Sequence, residues 1–196
     1  MNDTKEHLIR ITTELIEQSN GNIKDITARA ITEKAGVGLG LLNYHFGSKE
    51  NLITICIQRI ISQVVLNFSP VKREGAKPDE WSDEERLTDW AIQVYDFLFA
   101  HPAISRISIL GDFENYQPES NTVYTQKGFA HAIQSDTSES DKKLLTFLLT
   151  SAMQTAFLSG ETAKTLLGYD FTIKEERDAF IRKTVSMLFH GVDQRD

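Results

Sequence analysis

Residues 26–52, ITARAITEKAGVGLGLLNYHFGSKENL, set two short helical patterns on either side of a glycine-containing turn. Thr27 supplies an N-cap hydroxyl and Ile31 and Ala35 lie four apart on an inward face. Gly36 suits the left-handed conformation that ends helices, so a helix is predicted from Thr27 to about Lys34. A second, of about two turns, is predicted from Leu39 to Phe46, with Leu42 and Phe46 on one side and Asn43, Tyr44 and His45 pointing elsewhere. Gly47 closes it, and Ser48 can cap a further helix with Glu50 in its first turn, where a negative charge favours the dipole. Two short helices joined by Ala35-Gly36-Val37-Gly38 have the proportions of a helix-turn-helix, whose second helix enters the major groove of DNA. The rival reading, a phosphate cradle beginning GVGLG, fails because Leu41 stands where the third glycine is needed and no strand precedes it.

A helix-turn-helix gives each unusual residue a use. Gly38 and Gly40 lack side chains, so backbone amides and the helix dipole can approach DNA closely. Asn43 offers a donor and acceptor pair to a base edge or phosphate. Tyr44 and His45 join a flat apolar body to a hydrogen-bonding tip, and Lys49 can pair with a phosphate. Two consecutive residues cannot both face inward beside Leu42 and Phe46, so at least one of Tyr44 and His45 is expected at the surface.

The charge distribution permits this use. The chain of 196 residues has a net charge of −7, which argues against indiscriminate nucleic-acid binding. Most of the acid lies behind residue 50, and residues 24–49 hold Lys24, Arg29, Lys34 and Lys49 against Asp25 and Glu33, a small positive island. With 40% hydrophobic and 25% charged residues the composition is that of a globular protein. No apolar run is long enough to span a bilayer and the start, MNDTKEHLIR, is polar, so a cytoplasmic protein is expected. The lone Cys56, inside LITICIQRII, reads as a buried inert thiol.

The rest of the chain lacks the period-two alternation of strands, so an all-α protein is predicted. Leu8, Ile11, Thr12, Leu15 and Ile16 mark a first helix over residues 5–19, stopped by Asn20-Gly21. The helix capped by Ser48 carries Leu52, Ile53, Ile57, Ile60, Ile61, Val64 and Val65 and ends before Pro70. This organisation gives a helix-turn-helix domain over residues 1–50, a connecting helix at about 48–68, a linker at 69–80 and a helical domain over 81–196. In the last, helices are expected at 83–101, from Pro102 to about Phe113, around Tyr124 to Ile133, at 139–160 and at 173–190. The stripes Leu145, Leu148, Leu149, Ala152, Ala156 and Ile181, Val185, Leu188, Phe189 are the cleanest outside the reading head, and two copies of each would form a four-helix dimer interface. No metal is expected, because His101 and His131 have no second ligand at recognised spacing.

Residues 26–52 resemble the DNA-binding signature of TetR-family transcriptional regulators: a capped second helix, A-G-V, a glycine inside the reading helix, an aromatic-His-Phe end, then S-K-E-x-L. The likeness extends back through LIRITTELIEQSNG and covers about the first 55 residues. It implies an N-terminal three-helix helix-turn-helix domain followed by a larger ligand-binding and dimerisation domain, acting as a homodimer on a roughly palindromic double-stranded operator. By this resemblance Thr27 and Arg29 lie at the DNA end of the second helix. Leu39, Gly40, Leu41, Asn43, Tyr44 and His45 form the contacting face, and Lys49 holds the backbone. It also implies a cavity for a small apolar or aromatic effector, for which Trp90, Val94, Phe97, Phe113, Phe129, Met153 and Phe157 are the candidate lining, although any one of these alone reads as core. No cofactor is expected. Two other functions are weighed: a DNA-binding dimer with no small-molecule effector, and a helical-bundle enzyme, against which stands the lack of catalytic spacings.

Overall fold

The computed structural model describes residues 2–65 and 81–190, so the expected linker at 69–80 lies outside the described residues. All regular elements described are helices: α1 (Asn2–Gln18), α2 (Ala28–Ala35), α3 (Leu39–Phe46), α4 (Lys49–Val65), α5 (Asp83–Ala100), α6 (Pro102–Glu114), α7 (Asn121–Ala132), α8 (Glu139–Ser159), α9 (Thr162–Leu167) and α10 (Lys174–His190), with a 3-10 turn at Ile23–Asp25. The chain divides into two compact units, residues 1–67 with 101–115, and residues 68–100 with 116–196.

In the first unit α1 packs on α2, α4 and α6, and α3 on α2 and α4. The inward residues of these helices, among them Leu8, Ile16, Ile31, Leu42, Phe46, Leu52 and Ile57, form one core. Cys56 is buried there, its thiol donating weakly to the Ile9 carbonyl at 3.5 Å, and burial pushes it up to about 11, which keeps it protonated and inert. Helix α6 supplies Ile104 and Ile107 to the same core. A single boundary at 69–80 would place α6 with the rear helices; its isoleucines instead complete the core formed by α1 and α4. Gly21, at φ +82, sits against α6, where a Cβ would meet Cδ of Arg106 at 2.9 Å.

In the second unit α10 and α7 flank α5, and α8 packs on α7, α10, α5 and the short α9. The core is aromatic: Tyr95, Phe99, Phe171 and Phe180 meet mostly edge to face, Tyr95 to Phe99 at 5.1 Å and Phe171 to Phe180 at 5.1 Å between centroids. Asp83 ties the loop after α7 to the start of α5, accepting from the amides of Gln134 at 2.9 Å and Ser135 at 3.0 Å and pairing with Arg86. Burial alone would raise this carboxyl, but the bonds from Ser135, Gln134 and Arg86 outweigh it and hold the group at about 2, below its usual 3.8. The stabilisation is therefore complete above the unfolded carboxyl's range and is lost as pH falls through about 4 towards 2. Asp83→Asn should lower the melting temperature at neutral pH and flatten its acid-side dependence; parallel melting curves for the two proteins down to pH 2 would dissociate Asp83 from acid stability.

Candidate nucleic-acid interface

Helix α2 begins at Thr27, whose Oγ1 accepts from the Ala30 amide at 3.0 Å, and ends at Gly36 in the left-handed conformation at φ 65. There the Gly36 amide donates to the Glu33 carbonyl and the Val37 amide to that of Thr32, so the chain leaves α2 through a closed cap. Gly38 starts α3 without a side-chain cap, leaving the leading end of the helix bare at three exposed residues, Gly38, Leu39 and Gly40. Leu42 is completely buried and Phe46 nearly so, which pins α3 to the core. The opposite face is open: Tyr44 is 70% exposed, Leu39, Leu41 and Asn43 are also exposed, and His45 is half-buried with Tyr44 edge-on to its ring at 5.1 Å. A surface with Leu39, Leu41 and Tyr44 uncovered is apolar beyond what a solvated helix needs, and it surrounds the bare helix terminus.

Thr27 and Arg29 stand exposed at the start of α2. Arg29 is paired with Glu33 at 2.7 Å, both side chains largely in solvent. Lys49 reaches back to α2: its Nζ donates to the Ile26 carbonyl at 2.9 Å and lies 3.6 Å from Glu50. One of its three N–H groups thus fixes the residue preceding the Thr27 cap. Lys34 is turned towards α1, 3.3 Å from Glu14, and the Lys34 partner is the chief reason that the Glu14 carboxyl lies below its ordinary value. The exposed Lys24, in the 3-10 turn, makes no ion pair among the described residues.

His7 was not singled out by its sequence context, yet it anchors the far end of α2. Arg10 donates to its Nδ1 at 3.1 Å, and since arginine only donates, the proton sits on Nε2, which donates to the Ala35 carbonyl at 3.1 Å. Its partner lies 28 residues away, and no local pattern announces such a contact.

Residues 20–54 match the family model described as bacterial regulatory proteins, tetR family. The reading head is thus similar to that of the tetR family of bacterial regulatory proteins. The match spans the 3-10 turn, α2, α3 and the start of α4, the elements that build the open face. Two solved structures share the TetR-like fold over both parts of the chain. One, a TetR transcriptional regulator from Rhodococcus sp. RHA1, is 14% identical, covers 98% of each chain and superposes with a TM-score of 0.65. The other, a TetR-like transcriptional regulator from Rhodococcus sp. RHA1, is 17% identical, covers 96% of each chain and has a TM-score of 0.61. No curated protein matches the sequence.

The remaining candidate residues fall in different places. Phe129 and Met153 are buried core residues of the second unit, and Trp90, Val94 and Phe157 pack against that core. Phe97 is half-buried on α5, whereas Phe113 belongs to α6 in the first unit and is 51% exposed. Of the two stripes, Leu149, Ala156, Ile181 and Val185 are covered by their own unit, Leu145, Leu188 and Phe189 are half-buried against it, Ala152 is half-buried, and Leu148 is exposed. Among the described residues no cluster of three His, Cys, Asp or Glu could hold a metal, and no helix is long and apolar enough to cross a membrane.

Proposed function

We propose that the chain is a cytoplasmic, dimeric repressor that reads a roughly palindromic operator with α3 and releases it when a small apolar or aromatic molecule binds. The observation that carries the DNA-reading part is the division of α3 into a face buried through Leu42 and a face left open at Leu39, Asn43 and Tyr44. In this reading Asn43, Tyr44 and His45 meet base edges, with Leu39 and Leu41 giving apolar contact to bases or sugars. Gly40 allows close approach, and Thr27, Arg29 and Lys49 face phosphates. Exposed ion pairs contribute little, so Arg29 can exchange Glu33 for a phosphate at small cost. Lys49 has donors left over after binding the Ile26 carbonyl. The effector part would act by favouring a conformation whose two reading heads no longer fit the operator spacing.

Selection of bound sequences from random DNA tests the reading. It should return sites with two related half-sites whose centres lie about one helical turn or a little more apart; recovery of unrelated sequences would remove the specific part of the proposal. On the selected site, Lys49→Ala should weaken binding to specific and random DNA alike and lower the salt slope by about 1, as loss of one phosphate contact does. An unchanged slope leaves Lys49 with its internal role at Ile26 alone.

The packed aromatic interior favours a second reading, a DNA-binding dimer governed by a protein partner or by none. Phe99 meets both Phe157, 5.3 Å between centroids, and Phe171, 6.1 Å. A screen of apolar and aromatic compounds distinguishes the two: an inducer must raise the melting temperature and weaken operator binding together.

A further inference from the structure

The second unit carries a groove between α7 and α8, of about 740 Å³, that lies outside its aromatic core. This is within the range of small-molecule sites, roughly 300 to 1,000 Å³. Its apolar surface comes from Val123, Ala130 and Ile133 on the α7 side and from Leu144 and Phe147 on α8. Leu144 is 57% and Phe147 48% exposed, an apolar wall left in water. The walls are held in place: Gln154 donates to Thr122 at 2.7 Å, a buried bond between the two helices, and Phe129 fills the core behind α7.

The charged part of the groove is mostly positive. Lys127, Lys142 and Lys143 line it against the single carboxylate of Glu139, in a chain whose net charge is −7. Glu139 meets Lys142 at 3.9 Å, the outer limit of an ion pair, and Lys127 lies over the Tyr124 ring at 5.4 Å. The side chains of Lys143 and His131 have no hydrogen-bond or ion-pair partner among the described residues. An apolar trough edged by under-neutralised ammonium groups complements a molecule with an apolar body and an anionic head. We infer that the α7–α8 groove binds a single-chain anionic amphiphile, its chain against Phe147, Leu144 and Ile133 and its head at Lys143 and Lys127.

Titration calorimetry on the full chain, stripped of lipid and below the micelle threshold, tests this with four ten-carbon probes: decanoate, decyl phosphate, decanol and decyltrimethylammonium. Decanoate or decyl phosphate should bind and raise the melting temperature, and whichever is tighter identifies the head as carboxylate or phosphate. Decanol should bind about tenfold more weakly and the cation not measurably, since each loses the charge-assisted contacts. Lys143→Glu should weaken the anion about tenfold with the melting temperature of the free protein unchanged, because the side chain is exposed. Lys143→Arg should restore binding, and Phe147→Ser should weaken anion and alcohol alike. Equal binding of decanol and decanoate, or indifference to Lys143→Glu, would overturn the assignment. So would absence of any binding, the result expected if a second copy of the chain covers the groove. No DNA enters the measurement, so its failure leaves the operator reading standing and failure of that reading leaves the groove standing.

Discussion

Leu42→Ala should destabilise the protein by about 2–5 kcal/mol, whereas Tyr44→Ala, two residues along the same helix, should leave the melting temperature unchanged and weaken operator binding by roughly 1–3 kcal/mol. The physical causes are opposite. Leu42 has no exposed surface and packs in the core shared by α1, α2 and α4, so truncation removes buried methyl groups and leaves a cavity. α3 is only eight residues long and has no side-chain cap at its start, so its helical state depends on that packing rather than on propensity. Tyr44 is 70% exposed, and alanine there removes surface that water already touches. Urea melts and operator titrations on both variants check the contrast. A large loss of stability in Tyr44→Ala would mean that the ring braces α3 through His45, its edge-on neighbour at 5.1 Å, rather than awaiting DNA.

The contrast between those two residues was legible in the sequence because it depends only on helical spacing: residues four apart share a face, and adjacent residues do not. The bounds of α2 and α3 were legible for the same local reason. Thr27, Gly36, Gly38 and Gly47 are chemical stops whose effect does not depend on the rest of the fold, and each occupies a helix end. The 3-10 turn at Ile23–Asp25 and the six-residue α9 escaped notice because neither is long enough to show a period. Partners far along the chain were equally hidden. The Lys49 bond to the Ile26 carbonyl spans 23 residues, and the isoleucines of α6 show that the helix has an apolar face without naming the helices it meets.

Helix α8 shows the same limit on a larger scale. Its residues Leu145, Leu148, Leu149, Ala152 and Ala156 read as one stripe, yet they divide between two directions. Leu149, Met153 and Ala156 face the aromatic core, while Leu148, Ala152 and Thr155 follow a second line away from it, Leu148 being 44% exposed. Ten apolar residues in 21 make a helix apolar on more than one side, and periodicity then marks burial without distinguishing the core from a partner.

That division locates the most informative test of the proposed dimer. Leu148→Asp should give a monomer by sedimentation and lower operator affinity by about 10²–10⁴-fold, because two linked heads bind paired half-sites far more tightly than one. The half-buried Ala152, one turn further, should behave likewise, with Ser151 and the exposed Thr155 beside it small enough for a second helix to approach. Leu149→Asp serves as the opposing control. Leu149 is completely enclosed by its own unit, so a carboxylate there is buried without a partner and the second unit should unfold rather than separate from its twin. The same reasoning applies to Ala156, which is 2% exposed and therefore reports on folding, not on association. Since α3 and its surroundings lie wholly in the first unit, a folded Leu148→Asp monomer should retain the residual, salt-sensitive affinity of a single head. A Leu148→Asp protein that sediments as a dimer and keeps full operator affinity would transfer the interface to another face, whereas a monomer with undiminished affinity would mean that one head reads the operator alone.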